Sequence, residues 1–486
     1  MKKISRRSFL AAGAAAAVTG SALALSRSES EAYEYTPPTQ LPFSPKREEI
    51  NRIIAGNTGK PRVVKVGDRL YYGLNYALAN MVMVETDEGL VIIDTTESLP
   101  AAKSIMAEFR KISNKPVKVV IYTHNHRDHF LGTKACYQDG LKVIAHDDFM
   151  KEVKLQESRG QSAATRSAAM FGLLFPVAER FPWLGTFPSI SIERLMLEPV
   201  KKEDLIWPTE TFQKRHSFKL GGLTFNLIHA PGETPDQFIV EVPELKFVYC
   251  ADNYYPSFPN LYTIRGTADR PVQGWAACQD IMIKLAPELL IPGHGTHIEG
   301  KDQIKEVLTN YREAILYVYN LAHTAVKEFK PINEVAAAAA LPPHLAELPY
   351  LQQHYGFLPY SVRSIYGSLV GWFDGDPVNL NPLSKKNLGQ EILELAGSAD
   401  NVLAQAEKAQ KAGRHQAVLE LCEMVLANDP ENHPARLMKI TSMTALSNLS
   451  TNKPTINYYK GFAAMERSKM ERTKIETNSF RYPGRD

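Results

Sequence analysis

Residues 118–130 read Lys118-Val-Val-Ile-Tyr-Thr-His124-Asn-His126-Arg-Asp128-His129-Phe130. An apolar, β-branched run ends in four metal-type ligands within six positions. Side chains two apart do not share a helical face, which needs a spacing of three or four. The pair His124 and His126 therefore suits a loop leaving a strand. One metal can take both imidazoles, and a second can take Asp128 and His129. Zinc accepts such nitrogen and oxygen sets, and a catalytic site keeps one position open for water. The run predicts a two-metal hydrolase.

The surrounding sequence supplies the remaining ligands at other strand ends. Residues 79–94 hold two β-rich runs around Asp87-Glu88-Gly89, a hairpin signature that ends at Asp94. A helix is expected near Pro100, with Ile105, Phe109 and Ile112 on one face. Strands follow at 117–122, Leu141–Ala145, Leu223–His229, Gln237–Val242 and Lys246–Ala251, and another apolar run at Leu289–Pro292. Strand, helix and strand in this order predict a layered α/β domain. Polar clusters close these strands: Pro231-Gly232-Glu233, Asp252 and Gly293-His294-Gly295. The pattern assigns His124, His126 and Glu233 to one metal, and Asp128, His129 and His294 to the other, with Asp252 between them. Asp94 is expected to support a ligand from behind. Two such metals can share a hydroxide and lower its pKa.

Residues 151–215 are rich in Arg, Gly, Ser and Pro and read as an irregular insertion covering the site, or as an ordinary excursion. Residues from 298 onward are mainly helical by pattern, and Ala336–Ala340 suits helix packing. Ala406, Gly413, Ala417, Leu421, Ala427 and Ala435 have the spacing of one tetratricopeptide-type hairpin. One copy forms no solenoid, so it must pack on its own domain or on a second subunit.

Hydrophobic residues make up 44% and charged residues 22% of the 486, ordinary for a soluble globular protein. The N-terminus departs from that norm. Ser5-Arg6-Arg7-Ser8-Phe9-Leu10 is a twin-arginine pattern, followed by an Ala-rich stretch and the cleavage-type Ala22-Leu23-Ala24. The stretch is too short and weak for a membrane span. Residues 1–24 thus read as a Tat signal, 25–48 as an extended leader, and the mature protein as periplasmic. Losing Lys2, Lys3, Arg6 and Arg7 takes the net charge from +3 to −1. A near-neutral protein gives no case for nucleic acid or an anionic membrane as partner. Cys136, Cys250, Cys278 and Cys422 are scattered without C-x-x-C spacing, so buried free thiols are expected.

Together these residues resemble the metallo-β-lactamase superfamily: the hairpin to Asp94, the Thr-His-x-His-x-Asp-His loop, the Pro-Gly turn, Asp252 and Gly-His294 stand in its order. The usual histidine after Pro-Gly is Glu233 here, a swap characteristic of the alkylsulfatase branch. Asn260-Leu-Tyr-Thr263-Ile-Arg265-Gly266 resembles that branch's Asn-x-x-Thr-Leu-Arg-Gly segment. Val362-Arg363-x-x-Tyr366 and Gly371-Trp-Phe-Asp-Gly375-Asp-Pro377 resemble its helical dimerisation segment. The resemblance covers roughly residues 60–465. It implies an α/β fold, a metallo-β-lactamase αββα sandwich over 49–299, followed by an all-helical dimerisation domain over 300–465, a tail over 466–486 and a homodimer. A sterol-carrier-like domain belongs near residue 465 in the family and is not expected here. The chain departs from the family at three places: Pro259 stands where it carries a histidine, Tyr360-Ser361 where it carries a His-Asn pair, and Asp252 where it carries Glu.

The resemblance implies two zinc ions per subunit and attack of a bridging hydroxide on a sulfate ester. Asn260, Thr263, Arg265 and Arg363 would bind the substrate, because a guanidinium matches an oxyanion in bidentate fashion. Asp128, Arg265 and Tyr360 would serve catalysis, Tyr360 as a donor in place of the missing histidine. The same scaffold also suits a hydrolase of a lactone, a β-lactam or a phosphate ester. A di-iron redox protein fits less well, since that branch favours an acid where His126 stands and usually carries a flavin domain. A binding protein would need a degraded ligand set, and all seven positions are competent.

Overall fold

The computed structural model describes residues 60–174 and 200–471. The twin-arginine segment, the leader, the middle of the insertion and the end of the tail lie outside the described residues.

Two sheets form the α/β part. The first runs in chain order: β1 (Arg62–Lys65), β2 (Leu70–Leu74), β3 (Met81–Glu85), β4 (Leu90–Ile93), β5 (Val117–Ile121), β6 (Lys142–His146) and β7 (Glu210–Phe212). It is antiparallel up to β4 and parallel from β4 onward. The second holds β8 (Arg215–Leu220), β9 (Leu223–His229), β10 (Phe238–Val242), β11 (Phe247–Ala251), β12 (Leu289–Pro292) and β13 (Ile298–Glu299), in the order 13-12-11-10-9-8.

The central strands β2 to β6 and β10 to β12 are buried on both faces, which is why they read as continuous apolar runs, whereas the edge strands β1, β7 and β8 are partly exposed. In β3, Val82 and Val84 enter the core between the sheets with Phe225, Val240 and Tyr249. Met81 and Met83 point the other way, onto Ile105 and Phe109 of the helix Leu99–Ile112. Ser98 caps that helix by accepting from the Ala101 N–H, and Pro100 sits in its first turn. Ile112, expected on the same face, is the last helical residue and is exposed.

The outer face of the second sheet packs on two helices. Trp275 and Met282 of Val272–Leu285 share one core with Ile304, Leu308 and Tyr311 of Lys301–Lys327. Leu358, Val362 and Ile365 of the helix Leu358–Val370 join it. Packing therefore runs unbroken across residue 300.

Further on, Ala399–Lys411 and His415–Asn428 form the expected hairpin, turned at Gly413 with φ of 72°. Its small residues Ala406 and Ala409 are buried in a shared core with Ala435 of the following helix His433–Leu449, as close helix packing requires. The last helix, Lys453–Glu471, returns to the insertion: Asn457 donates to the Met170 carbonyl at 2.9 Å. The insertion is not irregular throughout. Phe149–Ser158 and Gly160–Met170 are helices, whose Arg, Ser and Gly content hides a weak apolar stripe. The four cysteines are free and buried.

The loop 352–356 fastens the helical region to the sandwich. Phe258 N–H and Ser257 Oγ both donate to the Gln352 carbonyl, and Gly356 N–H donates to the Phe258 carbonyl. His354 lies buried in this loop, where burial and then the Lys453 charge lower its pKa to about 4. A histidine depressed from 6.5 resists protonation when folded, so its stability contribution is complete above pH 6.5 and declines as pH falls towards 4. The loss is about 3 kcal/mol at about 1.4 kcal/mol per unit. Urea titrations at pH 7 and pH 4.5 should show a smaller acid-induced loss in His354→Gln than in wild type; equal losses would remove His354 from the account.

Candidate metal centre

Strand direction brings the ligand-bearing ends together. β4 and β5 are parallel, so Asp94 and the 122–130 loop leave the first sheet at one edge. β11 and β12 are parallel, and β9 runs with them because both flank antiparallel β10. Glu233, Asp252 and His294 therefore leave the second sheet at one edge too. Asn80 ties the two edges: its N–H donates to the Gly293 carbonyl at 2.7 Å, and its amide to the Pro292 and Gly295 carbonyls.

All seven expected ligands meet there, in two groups. His124, His126, Glu233 and Asp252 form one, and Asp128, His129 and His294 the other, with ligand atoms inside each group within 4.8 Å of one another. Asp252 touches both: its Oδ2 lies 3.2 Å from His294 Nε2, 3.4 Å from His129 Nε2 and 3.7 Å from His124 Nε2. The backbone carries strain at these corners. Asp94 has φ of 56°, and Ala251, just before Asp252, has φ of 49°, conformations that cost a non-glycine residue energy and must be held by their surroundings. Gly293 is required by crowding: a Cβ there would come within 2.3 Å of Asp252 Oδ1 and 3.0 Å of the His129 ring.

The outer ring nitrogens fix the inner ones. His129 donates from Nδ1 to Asp94 Oδ2 at 2.6 Å, and His294 from Nδ1 to the Leu78 carbonyl at 2.8 Å. Each then turns Nε2 toward the cluster. Asp94 is itself held by Thr123 and by the Tyr249 hydroxyl at 2.8 Å. His124 Nε2, His129 Nε2 and Asp252 Oδ1 are fully buried without a hydrogen-bond partner. Such atoms are costly unless something satisfies them, and divalent cations fit this donor set. Burial keeps His124 and His126 well below the usual histidine range, neutral as ligating imidazoles must be. At His129 burial opposes protonation, but the Asp252, Asp94 and Asp128 carboxylates overcome it.

Arg265 stands at the cluster's rim. Its Nη2 lies 3.2 Å from His126 Nε2, and its Nη1 donates to Thr263 Oγ1 at 2.8 Å and faces the Tyr355 hydroxyl at 3.5 Å. Thr263 thus braces Arg265, and donates in turn to Met170 Sδ. Asn260 contributes its carbonyl to Arg270 Nη1 at 2.7 Å. Tyr360 and Arg363 lie elsewhere. The Tyr360 hydroxyl is bonded to Thr455 Oγ1 at 2.8 Å, and Arg363 to Asn333 and the Pro359 carbonyl. Both serve helix packing, and neither lines the cavity over the cluster among the described residues. The cavity's tyrosine is Tyr355.

Two residues were not anticipated. Tyr355 arrives on the clamped 352–356 loop, which no periodicity marks. Arg270 is fully buried and forms an ion pair with Glu233. Burial pushes the Glu233 carboxyl up, to about 7, while Arg270 pulls it down and Asp252 pushes it up. At Arg270 burial is the largest single influence and lowers its pKa, but Glu233 together with Tyr255 and Tyr355 outweighs it, so the net shift is upward and the guanidinium stays charged.

Family comparison agrees with this arrangement. Residues 76–294 match the metallo-β-lactamase superfamily, and residues 331–469 match the alkyl sulfatase dimerisation family. A linear primary-alkylsulfatase from Pseudomonas sp. is 32% identical over 393 residues, 79% of this chain and 73% of that protein. An (R)-specific secondary-alkylsulfatase from Pseudomonas sp. is 28% identical over 411 residues, 81% of this chain and 61% of that one. The solved structure of the stereoselective inverting sec-alkylsulfatase Pisa1 from Pseudomonas sp. superposes with a TM-score of 0.78 at 26% identity, covering 86% of this chain and 67% of that one. This chain is therefore a metal-dependent hydrolase that belongs to the alkylsulfatase family of the metallo-β-lactamase superfamily.

Proposed function

We propose that this protein is a dinuclear zinc hydrolase of alkyl sulfate esters. One observation carries the reading: two adjoining ligand groups with orphaned inward atoms lie under a cavity of ≈ 140 Å³ that Arg265 enters. The reaction converts a sulfate monoester and water into an alcohol and hydrogen sulfate. Zinc bound by the seven residues supplies Lewis acidity and positive charge. The protein's own share is positional. Arg265, braced by Thr263 and beside Tyr355, offers donors to the sulfate oxygens. Asp128 accepts the proton from water, being the most open of the cluster's carboxylates, with 22% side-chain exposure against 3–4% for Glu233 and Asp252. Buried His124, His129 and Asp252 keep the ligand geometry fixed. Metal analysis of the purified protein should find two zinc ions per chain, and inorganic sulfate should appear from alkyl sulfates. Two irons, or turnover of a lactone, β-lactam or phosphate ester with no sulfate release, would overturn the proposal.

The protein is further proposed to be a Tat-exported, periplasmic homodimer. The twin-arginine residues support the address. Exposed apolar side chains support the dimer: Trp372, Val378, Leu383 and Leu395, exposed by 56–90%, crowd a stretch inside the part that matches the dimerisation family. A permanent dimer buries more than about 2,000 Å². Light scattering at low micromolar concentration should give twice the chain mass; a monomer would refute it.

A further inference from the structure

The lining of the cavity carries more positive charge than one sulfate head group uses. Outside the seven ligands it holds Arg127, Arg159 and Arg265 against one carboxylate, Glu97. Glu97 is buried and receives the Leu78 N–H on both oxygens, at 3.0 and 3.1 Å. Arg265 is committed to the cluster by its contact with His126 and by Thr263.

Arg159 stands apart from that head-group site. It is half-buried, at the junction of the helices Phe149–Ser158 and Gly160–Met170. Its side chain has no hydrogen bond or ion pair among the described residues. Buried Glu152 lies in its field without an ion pair. The second helix is pinned to the Arg265 segment through Arg166. Arg166 Nε donates to the Ile264 carbonyl at 3.2 Å, and its guanidinium meets the place a Cβ would take on Gly266. Arg159 stands just before Gly160, whose φ of 54° turns the chain into that second helix. Phe171 and Leu173 supply apolar wall to the same cavity.

We infer that the preferred substrate is a sulfate ester with a second anionic group at the far end of a short apolar spacer, held by Arg159 while Arg265 holds the sulfate. This rests on the sulfatase reading and narrows it. A guanidinium in a partly desolvated concave site gains most from a partner of opposite charge. A plain alkyl tail would leave Arg159 facing methylene groups and would shed its water without return.

The probes are octyl sulfate and its analogue with a terminal carboxylate, 8-sulfooxyoctanoate, with sulfate release measured for each. Wild type should show a kcat/KM about 10-fold higher for the carboxylated ester, the scale of one charge-assisted hydrogen bond. The difference should sit in KM and shrink as salt rises. Arg159→Leu should bring the ratio of the two kcat/KM values toward one, and Arg159→Lys should keep part of it. Preference for octyl sulfate in wild type, with the ratio unmoved in Arg159→Leu, overturns the inference and leaves the sulfatase reading standing. Sulfate release from neither ester overturns both.

Discussion

His126→Ala is expected to lower sulfate-ester turnover at least ~10³-fold, some 4 kcal/mol of barrier at about 1.4 kcal/mol per tenfold. Bound metal should fall below two per chain. His126 belongs to the ligand group with His124, Glu233 and Asp252, and the loop gives no other donor to replace it. It also touches Arg265 at 3.2 Å, so its loss frees the arginine as well. The useful contrast is Asp94→Asn. Asp94 donates nothing to a metal; it holds His129 Nδ1 at 2.6 Å and is held by Thr123 and Tyr249. Loss of such support typically costs ~10–100-fold in metal affinity or activity. Metal content by elemental analysis, with initial rates of sulfate release, checks both. Two metals and full turnover in His126→Ala would remove this residue from the ligand set.

The contrast also marks what the chain made legible. The ligands could be read because each follows a strand, and strands buried on both faces announce themselves as apolar runs. Glu233, Asp252 and His294 look like ordinary turn residues singly; their recurrence at successive strand ends is what identified them. Gly293 illustrates the finer grain. Pattern marked only a polar cluster closing a strand, and the structure shows the operative demand at this glycine is space beside Asp252 and His129. Resemblance pointed to Tyr360 as a donor, yet a helix turns that residue toward Thr455. Tyr355, five residues earlier, reaches Arg265 because the 352–356 loop is clamped to residues 257–258. Such clamps depend on backbone hydrogen bonds between distant segments, and these leave no local pattern. The helices 149–170 escaped for a different reason: their Ser, Arg and Gly content blurs the helical period.

Arg270 was the least legible residue, and its replacement should have the second large effect. It lies five positions past Arg265 in a polar stretch that reads as a surface loop. The structure buries it completely between Glu233 and the Asn260 carbonyl, near the Trp275 ring, with Nε and Nη2 lacking partners. Its charge offsets a carboxylate at the position where the superfamily carries a neutral histidine. Arg270→Met should cost ~3–5 kcal/mol in protein stripped of metal by a chelator, because Glu233 is left as an uncompensated buried charge. The cost should shrink when zinc is restored, since a cation then offsets the same carboxylate. Combining Arg270→Met with Glu233→His should recover part of the loss, as the pair of charges goes together and a neutral ligand remains. Urea unfolding with and without zinc, for wild type, both single variants and the double variant, reads all of this as one cycle. A metal-free Arg270→Met protein that unfolds at the wild-type urea midpoint would show that Glu233 does not depend on Arg270 for its charge. Strict additivity of the two substitutions would show the same, because independent sites add and a buried ion pair does not.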